Sequence, residues 1–271
     1  MAARVITITS GKGGVGKTTA TANVAVALAS LGKKVVCIDA DIGLRNLDVV
    51  MGLENRIVYD LVDVVEGRCK LRQAMVKDKR VPDLYLLPAA QTRDKTAVSP
   101  QDMVALTNQL RVDYEYILID SPAGIEWGFR NALAPADEVI VVTNPEVSAV
   151  RDADRIIGLI EADQRHVPTS LILNRIKLDM IRRGDMLSVN DVLEILSTRL
   201  LGVIPEDEYI LISSNRGAPL ALDERHTPAG DAFMNVARRL MGEKIPLLEL
   251  ERKDGFFRRL LHLIRPSNNA P

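Results

Sequence analysis

Short, almost wholly apolar runs recur along the chain, separated by stretches of helical periodicity. The runs are Arg4–Thr9, Val35–Asp39, Leu84–Leu87, Tyr116–Asp120, Glu138–Thr143, Ser170–Asn174 and Leu201–Ile204. They do not alternate apolar with polar, which is the pattern of strands buried on both faces of a parallel sheet. Helical patterns fall at about 18–31, 58–66, 100–110, 147–162, 188–197 and 228–241, and Ser188 with Asp191 forms a capping-box signature at the start of one of them. Alternation of strand and helix predicts an α/β fold with a doubly wound, mostly parallel sheet. No shift in composition divides the chain before about residue 243. The reading is one domain over 1–243, a linker over 244–253, an amphipathic helix over 254–265 and a polar tail over 266–271.

The first strand runs into Ser10-Gly11-Lys12-Gly13-Gly14-Val15-Gly16-Lys17-Thr18-Thr19. Gly11, Gly16, Lys17 and Thr18 satisfy the phosphate-binding pattern G-x-x-x-x-G-K-[ST], so the chain reads as a P-loop NTPase. Glycines let the backbone turn its N–H groups inward, and the helix that follows offers its positive dipole end to phosphate. Lys17 is placed to reach the β- and γ-phosphates and Thr18 to bind Mg²⁺ through its hydroxyl. The same residues also spell G-x-G-x-x-G, with Asp39 about 20 residues on, as a dinucleotide site would. That rival leaves Lys17-Thr18 unexplained, whereas a triphosphate site requires the pair; ATP with Mg²⁺ is the expected ligand.

Two further strands end in carboxylates. Tyr116–Asp120 has the form of a Walker B strand, with Asp120 supporting the Mg²⁺ shell, and Ser121-Pro122-Ala123-Gly124 follows as a candidate γ-phosphate sensor. Asp39-Ala40-Asp41 closes the second strand, at the end where ligands of α/β sheets bind. One of these carboxylates is a candidate to orient the attacking water and the other a candidate metal support; the bland alternative is a helix cap or loop turn. Lys12 is not demanded by the P-loop pattern, and its bland reading is a solvated surface lysine.

Composition narrows the classes. The 271 residues are 47% hydrophobic and carry a net charge of −1, so no global basic field favours nucleic acid. Cys37 and Cys69 form neither a disulfide framework nor a metal spacing, and the three histidines are scattered. The N-terminal residues enter a strand at once, and no apolar run approaches a membrane span, which predicts a cytoplasmic protein. Near the end, Phe256, Phe257, Leu260, Leu261, Leu263 and Ile264 alternate with Arg258, Arg259, His262 and Arg265. On a helix the apolar set covers roughly 160° with no polar residue inside it. A helix of about 11 residues is marginal alone in water, so it needs a surface: the chain's own core, or an anionic bilayer that suits phenylalanine and arginine together.

The loop Lys12-Gly13-Gly14-Val15-Gly16-Lys17-Thr18-Thr19 resembles the deviant Walker A motif of the MinD/ParA group of ATPases. Asp39–Asp48, Leu87–Lys95, Asp120–Glu126, Thr143–Asp152 and Gly202–Asp207 resemble the MinD family within it, over nearly the whole chain. The resemblance implies an ATPase that forms a homodimer face to face on ATP, with Lys12, Lys17 and Asp41 catalytic. Lys12 would cross to the partner's nucleotide and Asp41 would serve the attacking water. The ATP-binding set would be Gly11, Lys12, Gly13, Gly14, Val15, Gly16, Lys17, Thr18 and Thr19, with Asn174 and Pro205 near the adenine. Thr18, Asp39 and Asp120 would serve Mg²⁺. Phe256, Phe257, Leu260, Leu261 and Ile264 would bind an anionic phospholipid membrane, placing the protein peripherally on the cytoplasmic face of the inner membrane. A MinC-type division inhibitor and a MinE-type ATPase activator are the implied partners, in placement of the division site. Two rivals are weighed: a ParA-type partitioning ATPase, which calls for a basic DNA-binding surface, and a metabolic P-loop kinase, which calls for an acceptor pocket.

Overall fold

The computed structural model describes residues 3–247 except residue 224. The proposed helix over 254–265 and the tail over 266–271 lie outside the described residues. Eight strands form one sheet: β1 Arg4–Thr9, β2 Val35–Asp39, β3 Val76–Lys77, β4 Leu84–Leu87, β5 Tyr116–Asp120, β6 Glu138–Thr143, β7 Thr169–Ile176 and β8 Arg199–Pro205. The sheet order is β3-β4-β2-β5-β1-β6-β7-β8, and every pairing is parallel except β3 with β4. The doubly wound α/β fold predicted from the apolar runs is thus present. β7 and β8 extend beyond the predicted Ser170–Asn174 and Leu201–Ile204, and the short edge strand β3 was not predicted.

The helices are α1 Lys17–Ser30, α2 Leu47–Met51, α3 Leu61–Val65, α4 Leu71–Ala74, α5 Pro100–Leu110, α6 Trp127–Leu133, α7 Val147–Glu161, α8 Leu178–Arg183, α9 Val189–Leu196, α10 Glu208–Asn215 and α11 Pro228–Leu240. Successive strand residues point to opposite faces. On one face Ile6, Ile8, Cys37 and Leu118 pack with α1, α2 and α11; on the other, Val5, Val36, Ile38 and Ile119 meet α3 and α5, and Val139, Val141 and Leu171 meet α6, α7 and α9. Both faces are covered, which is why the strands carry no polar alternation. Caps follow the sequence: Ser99 accepts the Asp102 N–H at 3.2 Å, and Ser188 with Asp191 forms the expected capping box.

α1 is the exception that positions the site. Its N-cap, Gly16, lies in the left-handed region at φ 91°, and no side chain caps its first turn. An L side chain disfavours that backbone, and a Cβ there would also lie 2.3 Å from Asn174 Nδ2. The uncapped N–H groups of α1 are left for a ligand. Among the described residues, no helix is long and apolar enough to cross a membrane.

Candidate functional site

The parallel strands bring three loops together at their C-terminal ends. The P-loop follows β1, the Asp39–Asn46 loop follows β2, and Ser121–Gly124 follows β5. Asp39 and Asp120 sit side by side in register on adjacent strands. The loops enclose a cleft of about 430 Å³ whose walls include Gly13, Lys17, Thr18, Asp41, Lys95 and Arg175.

Asp120 organises its floor. One carboxylate oxygen accepts from Lys17 Nζ at 2.8 Å and from Thr21 Oγ1 at 3.0 Å, and the other accepts from Thr18 Oγ1 at 2.8 Å. Lys17, Thr21 and Asp120 are all buried. A buried carboxylate tolerates removal from water when it is paired and both its oxygens find donors, and an ammonium plus two hydroxyls supplies that here. The Walker B candidate and the P-loop lysine and threonine thus form one cluster.

Asp39 is fully buried beside it, and its two oxygens accept the N–H groups of Asp41 and Leu47 at 3.0 and 3.1 Å. Burial, then the neighbouring Asp120 carboxylate, push Asp39 up to about 7, against those two N–H groups. Asp39 therefore ties the loop and the start of α2 to the strand end. Asp41, half-buried and lining the cleft, is raised by burial and by Asp120, while Lys17 and Lys95 pull it down. The loop beyond is braced by Arg45 Nε on Asp48 at 2.7 Å, and Arg45 adopts φ 42°.

The P-loop is held from behind by two contacts that local sequence does not announce. A Cβ on Gly11 would lie 2.3 Å from the Asp152 carbonyl oxygen, so glycine is what lets the loop rest on α7. Asn174 Nδ2 donates to the Val15 carbonyl at 2.8 Å, and its Oδ1 is buried with no partner among the described residues. Asn174 itself is buried and does not line the cleft; an amino donor on a bound group would satisfy its orphan acceptor. Pro205 ends β8 opposite Ile176 and does not line the cleft. Lys12 turns away from the cleft: Nζ reaches Ser148 Oγ at 3.2 Å and Glu146 at 3.7 Å, on the loop that opens α7. Gly14, Val15 and Thr19 lie in the loop and the first turn of α1, and a Cβ on Gly13 or Gly14 would meet nothing within 4 Å. The residues expected to bind a membrane, Phe256, Phe257, Leu260, Leu261 and Ile264, are outside the described residues.

Sequence reasoning did not single out Lys95 or Arg175 for this cleft. Arg175 follows Asn174 in β7 and takes φ 56°. No motif names either residue; only the folded topology brings them to the P-loop.

Comparisons with known proteins agree with this geometry. A family model described as an AAA domain matches residues 3–173. The chain is 55% identical over 250 residues to the septum site-determining protein MinD of Bacillus subtilis, covering 92% of this chain and 93% of that protein. The solved MinC:MinD cell division protein complex of Aquifex aeolicus contains a chain 53% identical to this one, with a TM-score of 0.83 and coverage of 90% here and 98% there. A septum site-determining MinD solved with Mg-ADP, from Pyrococcus horikoshii, is 31% identical with a TM-score of 0.79, covering 90% and 100%.

Proposed function

The chain belongs to the MinD family of septum site-determining P-loop ATPases, and from that premise we propose that it is an ATP-gated switch that carries a division inhibitor to the membrane. The observation that carries this reading is the buried Lys17–Thr18–Thr21–Asp120 cluster opening into a cleft at the uncapped end of α1. The donor set fits Mg-ATP. Thr18 and Asp120 offer hard oxygens, as a magnesium ion prefers. The α1 N–H groups suit phosphate, and the unpartnered Asn174 Oδ1 suits an exocyclic amine.

The bound metal ion would neutralise phosphate charge as the terminal phosphoryl group is transferred to water. The chain's own residues do the remaining work. Lys17 leaves Asp120 for the phosphate oxygens, and the P-loop N–H groups hold those oxygens in place. Asp41 faces the same space and orients the attacking water. Asp39 keeps Asp41 in position by holding its backbone N–H. Lys12 is exposed and, among the described residues, bound only to Ser148 and Glu146, weak surface partners from which it is released at small cost to reach a second subunit. A lysine supplied in trans makes hydrolysis depend on assembly.

Assembly would in turn govern attachment. A single helix over 254–265 gains only part of the burial energy of its Phe and Leu side chains and must also order itself, so it binds weakly. Two such helices in one dimer make the second insertion intramolecular, which raises avidity by about 10²–10⁴. The switch loops and the start of α7 would receive the MinC-type inhibitor and a MinE-type activator. The DNA-partitioning alternative has no support from the charge balance or from the family. Analytical ultracentrifugation tests the switch: monomer with ADP, dimer with ATP, and a longer-lived dimer for Asp41→Ala. Identical profiles in both nucleotides, for both proteins, would refute it.

A further inference from the structure

The cleft is also lined by Lys95, from the segment 91–98 between β4 and α5. This segment is tied at both ends to the loops that carry the site. The Gly43 N–H, from the loop after β2, donates to the Ala90 carbonyl at 2.8 Å. At the other end the Val98 carbonyl accepts Asn131 Nδ2 at 2.6 Å and Trp127 Nε1 at 3.2 Å, both from α6, which follows the loop after β5. Between these anchors Asp94 Oδ1 accepts the Thr96 N–H at 2.8 Å and its hydroxyl at 2.6 Å, and the Ala97 N–H closes on the Asp94 carbonyl at 3.0 Å. Lys95 therefore sits inside a closed turn with a defined direction, and that direction puts it on the cleft wall with Lys17, Thr18 and Asp41. Its neighbour Arg93 turns instead to Glu66, at 3.8 Å. Among the described residues Lys95 has no carboxylate at ion-pair distance.

We propose that Lys95 contacts the terminal phosphate of the bound nucleotide in cis, as the cation that distinguishes a triphosphate from a diphosphate. The proposal rests on the Mg-ATP reading of the cleft. Lys17 lies at the floor, where it reaches the β-phosphate common to both nucleotides as well as the γ-phosphate. Lys95 enters the same cleft from a separate loop, alongside Asp41, where it would meet the terminal phosphate alone. An ammonium on a flexible stem suits this task, because it needs no fixed fork geometry. Its loop is bonded to both neighbouring loops, so a phosphate held by Lys95 would also draw them together. A merely solvated surface lysine would affect neither nucleotide.

The test uses the full chain, kept monomeric by low protein concentration and followed by Trp127 fluorescence. Trp127 is the chain's single tryptophan and its indole N–H is bonded to this very loop. Wild type, Lys95→Ala and Lys95→Arg are titrated with Mg-ADP and with a non-hydrolysable Mg-ATP analogue. Lys95→Ala should lose about tenfold in affinity for the analogue, the scale of one charge-assisted contact, with the affinity for ADP within about twofold of wild type. Lys95→Arg should recover most of the loss. An unchanged ratio of the two affinities in Lys95→Ala overturns the proposal while leaving the cleft assignment standing. Wild type that binds neither nucleotide overturns both.

Discussion

Lys17 Nζ and a carboxylate oxygen of Asp120 lie 2.8 Å apart, one from the start of α1 and one from the end of β5, both buried. The pair holds the proposed phosphate-binding cation against a carboxylate that also holds the Thr18 hydroxyl. Removing the lysine removes the charge that receives phosphate and strands Asp120 next to Asp39. Lys17→Ala should therefore lose nucleotide binding by at least about a hundredfold, the scale of a buried charge-assisted contact. Calorimetry checks this; equal ATP affinity in the variant and wild type would contradict it.

Asn174 holds Val15 and carries the orphan acceptor Oδ1. Asn174→Ala should weaken ATP and ADP alike, by about tenfold, because a lost hydrogen bond to the loop and a lost base contact affect both nucleotides. It should also narrow the preference for ATP over GTP. Competition binding with ATP, ADP and GTP reads both effects, and it separates Asn174 from Lys95, whose effect is confined to the triphosphate.

Gly11 tests the seating of the loop on α7. The Cβ of Gly11→Ala would lie 2.3 Å from backbone oxygen, a clash that only a shift of the loop or the helix relieves. Overpacking of this kind costs about 1–3 kcal/mol. The variant should fold, with a melting temperature lowered by about 2–4 °C per kcal/mol of that cost, and yet bind ATP poorly. Normal ATP affinity would mean that the contact with Asp152 does not matter to the loop.

Asp78 and Arg80 give a pH prediction away from the cleft. Asp78 is buried, and Arg80 binds it through Nε and Nη2 while also reaching the carbonyls of Gly217 and Met51. Burial works to raise Asp78, but the Arg80 bonds outweigh it and hold the carboxyl below its usual range. A depressed folded-state value adds stability that is present above the unfolded value of about 3.9 and is lost as pH falls through the lower folded one. Arg80→Ala should cost about 3 kcal/mol at pH 7, the low end for breaking a buried pair, since Arg80 is itself 38% exposed on its side chain. The deficit should shrink below about pH 4. Urea unfolding at pH 7 and at pH 3.5 measures both numbers, and a pH-independent deficit would contradict the account.

Most of the fold was legible because both sheet faces are covered. Five strands, from Arg4–Thr9 to Glu138–Thr143, coincide with the apolar runs. The P-loop was legible because its chemistry needs a fixed residue order. What could not be read depends on contacts between distant segments: Asn174 behind Val15, Asp152 behind Gly11, and Lys95 in one cleft with Lys17. The two-residue strand Val76–Lys77 is too short for any periodicity to mark it, and pairs only because Leu86 and Tyr85 are beside it. α2 was missed for a related reason. Its five residues start at a backbone N–H capped by Asp39, eight positions back, instead of by a neighbouring Ser or Asp.

The proposed switch joins the cleft to a membrane that the nucleotide never touches, and sedimentation with anionic liposomes tests that link most directly. The account predicts that wild type pellets with Mg-ATP and much less with Mg-ADP. Lys17→Ala should stay in the supernatant with either nucleotide, and Phe257→Glu should do so while still binding ATP. Equal pelleting of wild type in ATP and ADP, or undiminished pelleting of Phe257→Glu, would contradict it.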